Sequence, residues 1–166
     1  MLRDARPWRT QPTRTFYHHF ESKEELLLLI HDKFVDEGLE RARAIWNSNM
    51  SPPNKLDALI SELVTDIAKF QAPETIFFEN QRFLSEARFA DIKAKRDEYE
   101  RHVIDILEEG IASGDFRATA STRVLAYGII GMGSWPYRWY RPESGLTAVQ
   151  IAEVYSTVLL KGLECE

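Results

Sequence analysis

Residues 55–67 have the sequence KLDALISELVTDI, which carries the clearest periodic signal in the chain. Large apolar residues recur here at the i, i+3, i+4 and i+7 spacing that places them on one face of an α-helix. Residues 51–54, Ser-Pro-Pro-Asn, come just before, and proline is tolerated in the first turn of a helix but breaks its interior. The stretch therefore predicts an amphipathic helix that starts at this break. Its apolar face is formed by Leu56, Leu59, Ile60, Leu63, Val64 and Ile67.

Helical signals continue on both sides of this stretch. Ser22 and Glu25 have the spacing of a capping box in front of the apolar residues 26–30, which predicts a helix from Ser22 to about Asn47. Pro73 suits the first turn of a short helix that follows the amphipathic one. The apolar side chains expected on this short helix are Ile76, Phe77, Phe78 and Phe83.

A long charged helix is predicted to begin near Phe89 and to end at Gly114. Glycine adopts the left-handed conformation that commonly caps a helix, so Gly114 is well placed to end this one. A short loop, residues 115–118, follows. The apolar stripe of the long helix consists of Tyr99, Val103, Leu107 and Ile111.

Two apolar helices are predicted at the end of the chain, over residues 122–135 and 147–163. The first has apolar residues on all sides, which predicts burial on more than one face, and the second has a broad apolar stripe. We interpret the pair as the surface of a homodimer, while burial within one chain stays open as the alternative. The residues predicted at the dimer interface are Tyr127, Ile130, Ile151, Tyr155, Val158, Leu159 and Gly162.

Composition excludes several classes of protein and predicts one all-α body. The chain has 166 residues, 44% of them apolar and 28% charged, as in ordinary globular domains, and no segment alternates as a strand would. The nearly uncharged residues 124–137 are too short and too rich in glycine to span a bilayer, and no secretory signal is recognisable. We expect a cytoplasmic protein without membrane contact.

Catalytic and metal-binding patterns are absent from the sequence. The four histidines lack both Glu-x-x-His and His-Glu-x-x-His spacing, and no Gly-x-Ser-x-Gly or glycine-rich phosphate loop occurs. The one cysteine, Cys165, has no partner for a disulfide or a metal cluster. We therefore expect no enzymatic activity, no metal site and no cofactor.

Residues 13–26, TRTFYHHFESKEEL, form the most specific motif in the chain. They resemble the end of the DNA-binding domain of TetR-family transcriptional regulators, in which T-x-Y-x-H/Y-F closes a recognition helix and x-S/D-K-E-x-L starts the next helix. Residues 1–20 also carry a local excess of arginine, which suits contact with phosphates. The resemblance implies DNA contacts from Thr13, Arg14, Thr15, Tyr17, His18, His19 and Lys23.

The sequence departs from that family before this motif. The first two helices of a helix-turn-helix are not recognisable in residues 1–12, and Arg14 stands where the family usually has glycine. A recognition helix without supporting helices is marginal in water. We therefore expect residues 1–21 to be the remnant of a helix-turn-helix, with a recognition helix over about 13–20, and residues 22–166 to be a ligand-binding and dimerisation domain. Weak or absent binding to operator DNA is expected of this chain.

A second stretch resembles one branch of the same family. Residues 110–117, GIASGDFR, and residues 138–145, RWYRPESG, are similar to the G-I-x-x-G-x-F-R and W-Y-x-P-x-G pattern of a branch that includes regulators of fatty-acid and steroid breakdown. Those regulators respond to CoA thioesters. The resemblance implies a small hydrophobic or acyl-CoA-like effector.

An effector cavity is also predicted from the residues themselves, because the chain has more aromatic side chains than a small helical bundle needs. Arg138 and His102 are suited to holding a carbonyl or a phosphate near the mouth of such a cavity. Two functions stay open: a repressor that releases DNA when it binds its effector, and a ligand-binding dimeric module without DNA binding. The residues predicted at the effector site are Phe70, Phe77, Phe78, Phe83, Tyr99, His102, Trp135, Arg138 and Trp139.

Overall fold

The computed structural model describes residues 23–165, and in that range it confirms the predicted all-α fold. The described part contains no named strand and has one isolated β-bridge, between Phe116 and Glu164. Short 3-10 turns, Gln81–Phe83 and Pro142–Ser144, link some of the helices. The α-helices are α1 (Lys23–Trp46), α2 (Pro52–Lys69), α3 (Gln71–Asn80), α4 (Glu86–Ser113), α5 (Thr122–Ser134), α6 (Pro136–Trp139) and α7 (Ala148–Leu163).

Helix α2 lies at the centre of the bundle and packs against α1, α4, α5 and α7. The predicted apolar face is confirmed, because each of its six residues is buried. Pro52 stands at the first position of the helix, where its missing N–H removes no helical hydrogen bond. The amphipathic pattern thus produced the element around which the others pack.

The end of α4 depends on close contact between Gly110 and Phe116. A Cβ added at Gly110 would lie 2.1 Å from Cδ2 of Phe116, so only a glycine lets the ring approach the helix. The amide of Phe116 donates a hydrogen bond to the carbonyl of Gly110 at 2.9 Å. Gly114, with φ of 83°, caps the helix as predicted. This turn brings the chain back to the end of α7, where Phe116 forms its bridge with Glu164.

Three predicted helix limits were wrong by a few residues. The long helix α4 begins at Glu86 rather than near Phe89, because the side chain of Ser85 caps it by accepting a hydrogen bond from the amide of Arg88. Helix α3 ends at Asn80, and the 3-10 turn Gln81–Phe83 follows. Helix α5 ends at Ser134, one residue early, because Pro136 opens α6.

Helix α5 is less buried in the chain than its composition suggested. Ala126, Ile129 and Gly133 are buried, whereas Val124 and Tyr127 are 63% and 52% exposed. The prediction of burial on several faces was therefore wrong for the single chain. Within residues 23–165, no helix combines the length and the apolar character that a membrane span requires.

Candidate functional site

A cavity of about 660 Å³ lies between α1, α2, α4 and α5, and side chains of α3 and α6 also line it. Its size falls in the range of about 300 to 1,000 Å³ that is usual for small-molecule sites. Each of the four long helices contributes apolar side chains, which are Phe34, Val35, Ala42 and Ile45 from α1, Leu59, Leu63 and Ile67 from α2, Tyr99 from α4, and Tyr127 and Ile130 from α5.

Aromatic rings form the end of the cavity near α3 and α6. Phe78 and Tyr137 stack with their centroids 4.6 Å apart, and Trp135 meets Tyr137 edge-on at 6.1 Å. The side-chain amide of Gln71 donates hydrogen bonds to the carbonyls of Tyr137 and Tyr140, at 3.1 and 2.6 Å. Gln71 thereby holds α6 against the start of α3 and fixes the aromatic end of the cavity.

Most charged side chains on the cavity wall belong to ion pairs. Arg41 pairs with Asp66 and, through Nε at 2.9 Å, with Glu62. On α4, Lys93 pairs with Asp97 at 2.5 Å. These pairs neutralise part of the wall, which leaves a mainly apolar interior.

The buried polar residue His31 stacks on the ring of Phe77 and lies beside the buried Glu74. His31 is 1% exposed and stacks on Phe77 with centroids 3.6 Å apart, and its Nδ1 lies 3.5 Å from Oε1 of Glu74. Burial lowers the pKa of His31 to about 3 and raises the pKa of Glu74 to about 8. At neutral pH the pair is therefore a neutral imidazole and a protonated carboxyl rather than a salt bridge.

Arg96 reaches the same cluster from α4. Its Cζ lies 5.3 Å from the ring centroid of Phe77 and 5.4 Å from that of Phe78, which places the guanidinium in cation–π contact with both rings. Burial lowers the pKa of Arg96, and the nearby Glu74 opposes that shift. An arginine stays protonated under such conditions, so the cavity wall carries a positive charge here.

The structure places only some of the predicted effector residues at the cavity. Phe78, Tyr99 and Trp135 line it. Phe70, Phe77, His102, Arg138 and Trp139 do not line it, and the side chain of Phe83 lies outside the described part. Arg138 is 57% exposed and lies 3.5 Å from Glu79 because α6 directs it to the surface. His102, whose pKa is lowered by burial, lies 3.8 Å from Glu98 on the same helix.

The predicted dimer residues fall into three environments. Ile151 is buried in the core of its own chain, and Ile130 and Tyr127 border the cavity. Val158 is 60% exposed beside the half-buried Leu159. Leu159, Gly162 and Val158 line a shallow groove between α5 and α7, and Tyr155 is half-buried on α7.

The predicted DNA-contacting residues cannot be placed. Thr13, Arg14, Thr15, Tyr17, His18 and His19 lie outside the described residues, as does the side chain of Lys23. Within residues 23–165, no group of three His, Cys, Asp or Glu side chains is arranged to hold a metal ion.

Sequence reasoning missed the polar residues of the cavity. His31 and Arg96, which line it, are 65 residues apart, and no motif joins them. One signal was available for His31, because it stands four and eight residues before Val35 and Leu39, on the buried face of α1. The contacts of Arg96 with Phe77 and Phe78 join α4 to α3, which spacing along α4 does not reveal.

Comparisons with known proteins agree with this architecture. Residues 49–163 match the family described as tetracyclin repressor-like, C-terminal domain. The HTH-type transcriptional repressor KstR2 of Mycobacterium tuberculosis is 33% identical over 154 residues, which are 92% of this chain and 76% of that protein. The structure of this ketosteroid transcriptional regulator has a TM-score of 0.84 at 31% identity, covering 92% of this chain and 78% of that one. A TetR/AcrR-family regulator from Thermobifida fusca has a TM-score of 0.76 at 32% identity, covering 89% of this chain and 78% of that one.

Proposed function

Because the chain belongs to the TetR family of transcriptional regulators, we propose that it is a repressor that releases operator DNA when a hydrophobic or acyl-CoA-like effector enters the cavity. The observation that carries this proposal is the mainly apolar cavity of about 660 Å³ within the helical body. The similar KstR2 is called a ketosteroid transcriptional regulator, which supports an apolar effector here. No catalytic role is proposed.

Helix α1 is suited to couple the cavity to DNA. It begins at Lys23, directly after the predicted recognition segment (residues 13–20), and further along it lines the cavity with His31, Phe34 and Ile45. An α-helix rises by 1.5 Å per residue, so His31 lies about 12 Å along α1 from its start at Lys23. If an effector binds the protein more tightly in one placement of α1 than in another, it shifts α1 toward that placement. The recognition segment, which precedes α1 directly, would then move with it.

A homodimer is part of this proposal, with α5 and α7 as its surface. Val124, Val154 and Val158 are 63%, 59% and 60% exposed, which is a large apolar area for two neighbouring helices. A two-fold dimer presents two recognition segments, and they must match half-sites about 34 Å apart. An effector that changes their separation would weaken binding to the operator.

The two parts of the chain are proposed to have different functions, as the sequence motifs predict. Residues 1–21 would contact DNA through the arginine-rich motif, and residues 22–166 would bind the effector and dimerise. The described residues support the second half of this division through the cavity and the exposed α5 and α7 faces.

The experiment that tests the function is fluorescence anisotropy of the whole chain with labelled duplexes selected from a random pool. The proposal expects weak duplex binding that falls steeply with salt and is reversed by a hydrophobic acid or an acyl-CoA. Effector binding without any duplex binding would instead favour the ligand-binding dimeric module. Duplex binding that no hydrophobic compound alters would contradict the effector mechanism, because that mechanism requires the effector to lower the affinity for DNA.

A further inference from the structure

The hydroxyl groups on the cavity wall differ in whether they have a partner within the chain. The hydroxyl of Ser134 donates a hydrogen bond to the carbonyl of Ile130 at 2.6 Å, and that of Tyr127 accepts one from Nε of Arg123 at 3.2 Å. The hydroxyl of Tyr99 makes no hydrogen bond to any residue that the structure describes. Tyr99 therefore has a hydrogen-bond donor and acceptor available for a ligand.

Tyr99 stands on α4 where the cavity meets the hydrophobic core. Its side chain packs against the buried core cluster and also lines the cavity. Burial raises the pKa of its phenol, while the nearby charges of Arg41 and Glu62 act on that pKa in opposite directions. The hydroxyl is nevertheless not sealed by protein, as the ring nitrogens of His31 are, so it faces the open space of the cavity. Tyr99 thus presents a neutral hydroxyl to a mainly apolar interior.

A second phenol without a partner, Tyr137, has different surroundings. Its ring stacks on Phe78 at the aromatic end of the cavity, and Trp135 meets it edge-on. Trp135 is 56% exposed, so this end lies close to bulk water. Water can keep the hydroxyl of Tyr137 hydrogen-bonded when a ligand occupies the cavity, whereas the hydroxyl of Tyr99 lies against the core.

The hydroxyl of Tyr99 makes the cavity poorly suited to a plain hydrocarbon. An apolar ligand excludes water from the space that it fills, and a buried hydroxyl that is left without a partner costs free energy. A ligand with an oxygen at this point avoids the cost, because a phenol donates a hydrogen bond to a ketone or an alcohol oxygen. A site that bonds a polar group in this way discriminates against the analogue that lacks the group.

We propose that the apolar body of the effector carries a neutral oxygen, of a ketone or an alcohol, which accepts a hydrogen bond from the hydroxyl of Tyr99. Tyr99 is then the residue that distinguishes an oxygenated effector from a plain hydrocarbon. This inference rests on the proposed effector function of the cavity and specifies the chemistry of its ligand. Because the oxygen belongs to the apolar body, the effector can be a free hydrophobic compound or the acyl group of a CoA thioester.

The test compares compounds that share one skeleton and differ only in the oxygen. Tetralin, 1-tetralol and 1-tetralone form one series, and fluorene, 9-fluorenol and 9-fluorenone form a larger one. Dissociation constants for the whole chain are measured by equilibrium dialysis. The variant is Tyr99→Phe, which removes only the hydroxyl, and Tyr137→Phe does the same at the other open phenol. Tyr140→Phe is the control, because Tyr140 is buried in the core and does not line the cavity.

The proposal expects Tyr99→Phe to weaken binding of the ketone, the alcohol or both by about 3- to 10-fold and to leave binding of the hydrocarbon unchanged or tighter. The affected compound identifies the oxygen that Tyr99 binds. Tyr137→Phe and Tyr140→Phe should bind all compounds as the wild type does. Circular dichroism checks that each variant is folded.

The inference would be overturned if Tyr99→Phe bound the oxygenated compounds as tightly as the wild type does, or if it weakened all three members of a series equally. A loss of oxygen preference in Tyr137→Phe instead of Tyr99→Phe would also overturn it. Binding of the hydrocarbons without any effect of Tyr99→Phe would leave the proposed effector function standing. No binding of any compound would count against the cavity as a ligand site, and against this inference with it.

Discussion

The imidazole of His31 lies flat on the phenyl ring of Phe77, with ring centroids 3.6 Å apart and planes 8° apart. Phe77 is on α3 and His31 on α1, so this stack joins two helices at the wall of the cavity. A stacked neutral imidazole behaves largely as an apolar ring, which explains how a histidine is accommodated in the core. Its nitrogens remain the polar feature of an otherwise aromatic cluster.

Glu74 makes the stability of the fold dependent on pH. The folded chain holds a proton on Glu74 up to about pH 8, whereas the unfolded chain releases it near 4.5, so stability falls as the pH rises through this range. His31 has the opposite shift and costs stability only as the pH falls below 6.5 toward 3. Between pH 6.5 and 8 the wild type should therefore lose stability, by at most about 1.4 kcal/mol per pH unit. Urea denaturation of Glu74→Gln should show a free energy of unfolding that changes less with pH than that of the wild type. The same pH dependence in both proteins would refute the role of Glu74. Glu79→Gln at the surface is the control and should behave as the wild type does.

Gln71 should contribute to stability through its two hydrogen bonds to α6. Replacing it by alanine leaves the carbonyls of Tyr137 and Tyr140 without this donor, at a cost of about 1 to 3 kcal/mol in the free energy of unfolding. Gln71→Glu should be at least as damaging, because a carboxylate cannot donate to either carbonyl. Chemical denaturation of both variants checks this, and recovery of wild-type stability in Gln71→Glu would show that only side-chain volume matters.

Gly110 should not tolerate even one added methyl group. In Gly110→Ala the new Cβ would overlap the ring of Phe116, which is 2% exposed and has little room to withdraw. Overpacking of this kind costs about 1 to 3 kcal/mol. Gly38→Ala is the matched control, since an added Cβ there meets no atom within 4 Å and the helix should gain roughly 0.5 to 1 kcal/mol. Equal thermal stability of the two variants would contradict the packing described at Gly110.

Val158 should affect association without affecting the fold. It is 60% exposed, so Val158→Lys removes few contacts within the chain but places a charge in the proposed interface. A two-fold interface contains the substitution twice, and the two lysines repel each other. Analytical ultracentrifugation should show at least about tenfold weaker dimerisation with an unchanged circular dichroism spectrum. Ala112→Lys, at an exposed position on α4, should dimerise as the wild type does, and a fully dimeric Val158→Lys would place the interface elsewhere.

The fold could be predicted from local signals because each helix carries its own. The apolar period of residues 55–67, the prolines at 52 and 53 and the glycine cap at Gly114 all act within a few residues of the chain. The side-chain cap that begins α4 was missed because Ser85 precedes a charged segment with little apolar period. Local chemistry therefore located the helices to within a few residues.

The site was harder to predict because it depends on how helices pack. Phe77 and Phe78 are neighbours in the chain, yet Phe78 borders the cavity and Phe77 lies behind His31. Aromatic content predicted that a cavity would exist, and Phe78, Tyr99 and Trp135 do line it. Arg138 is an attractive anion ligand by sequence, but the single turn of α6 directs it to the surface, and Arg96 on α4 borders the cavity instead.

Filling the cavity is the most direct test of the claim that it is a ligand site. Gly131 borders it, and a Cβ added there meets no atom within 4 Å, so Gly131→Phe should insert a ring into the cavity without disturbing the fold. The measurement is a fluorescence titration with the uncharged fluorophore N-phenyl-1-naphthylamine, with Ala112→Phe as the surface control. The wild type and the control should bind one fluorophore per chain, and Gly131→Phe should bind none. Equal binding by Gly131→Phe would show that apolar ligands are held somewhere other than this cavity.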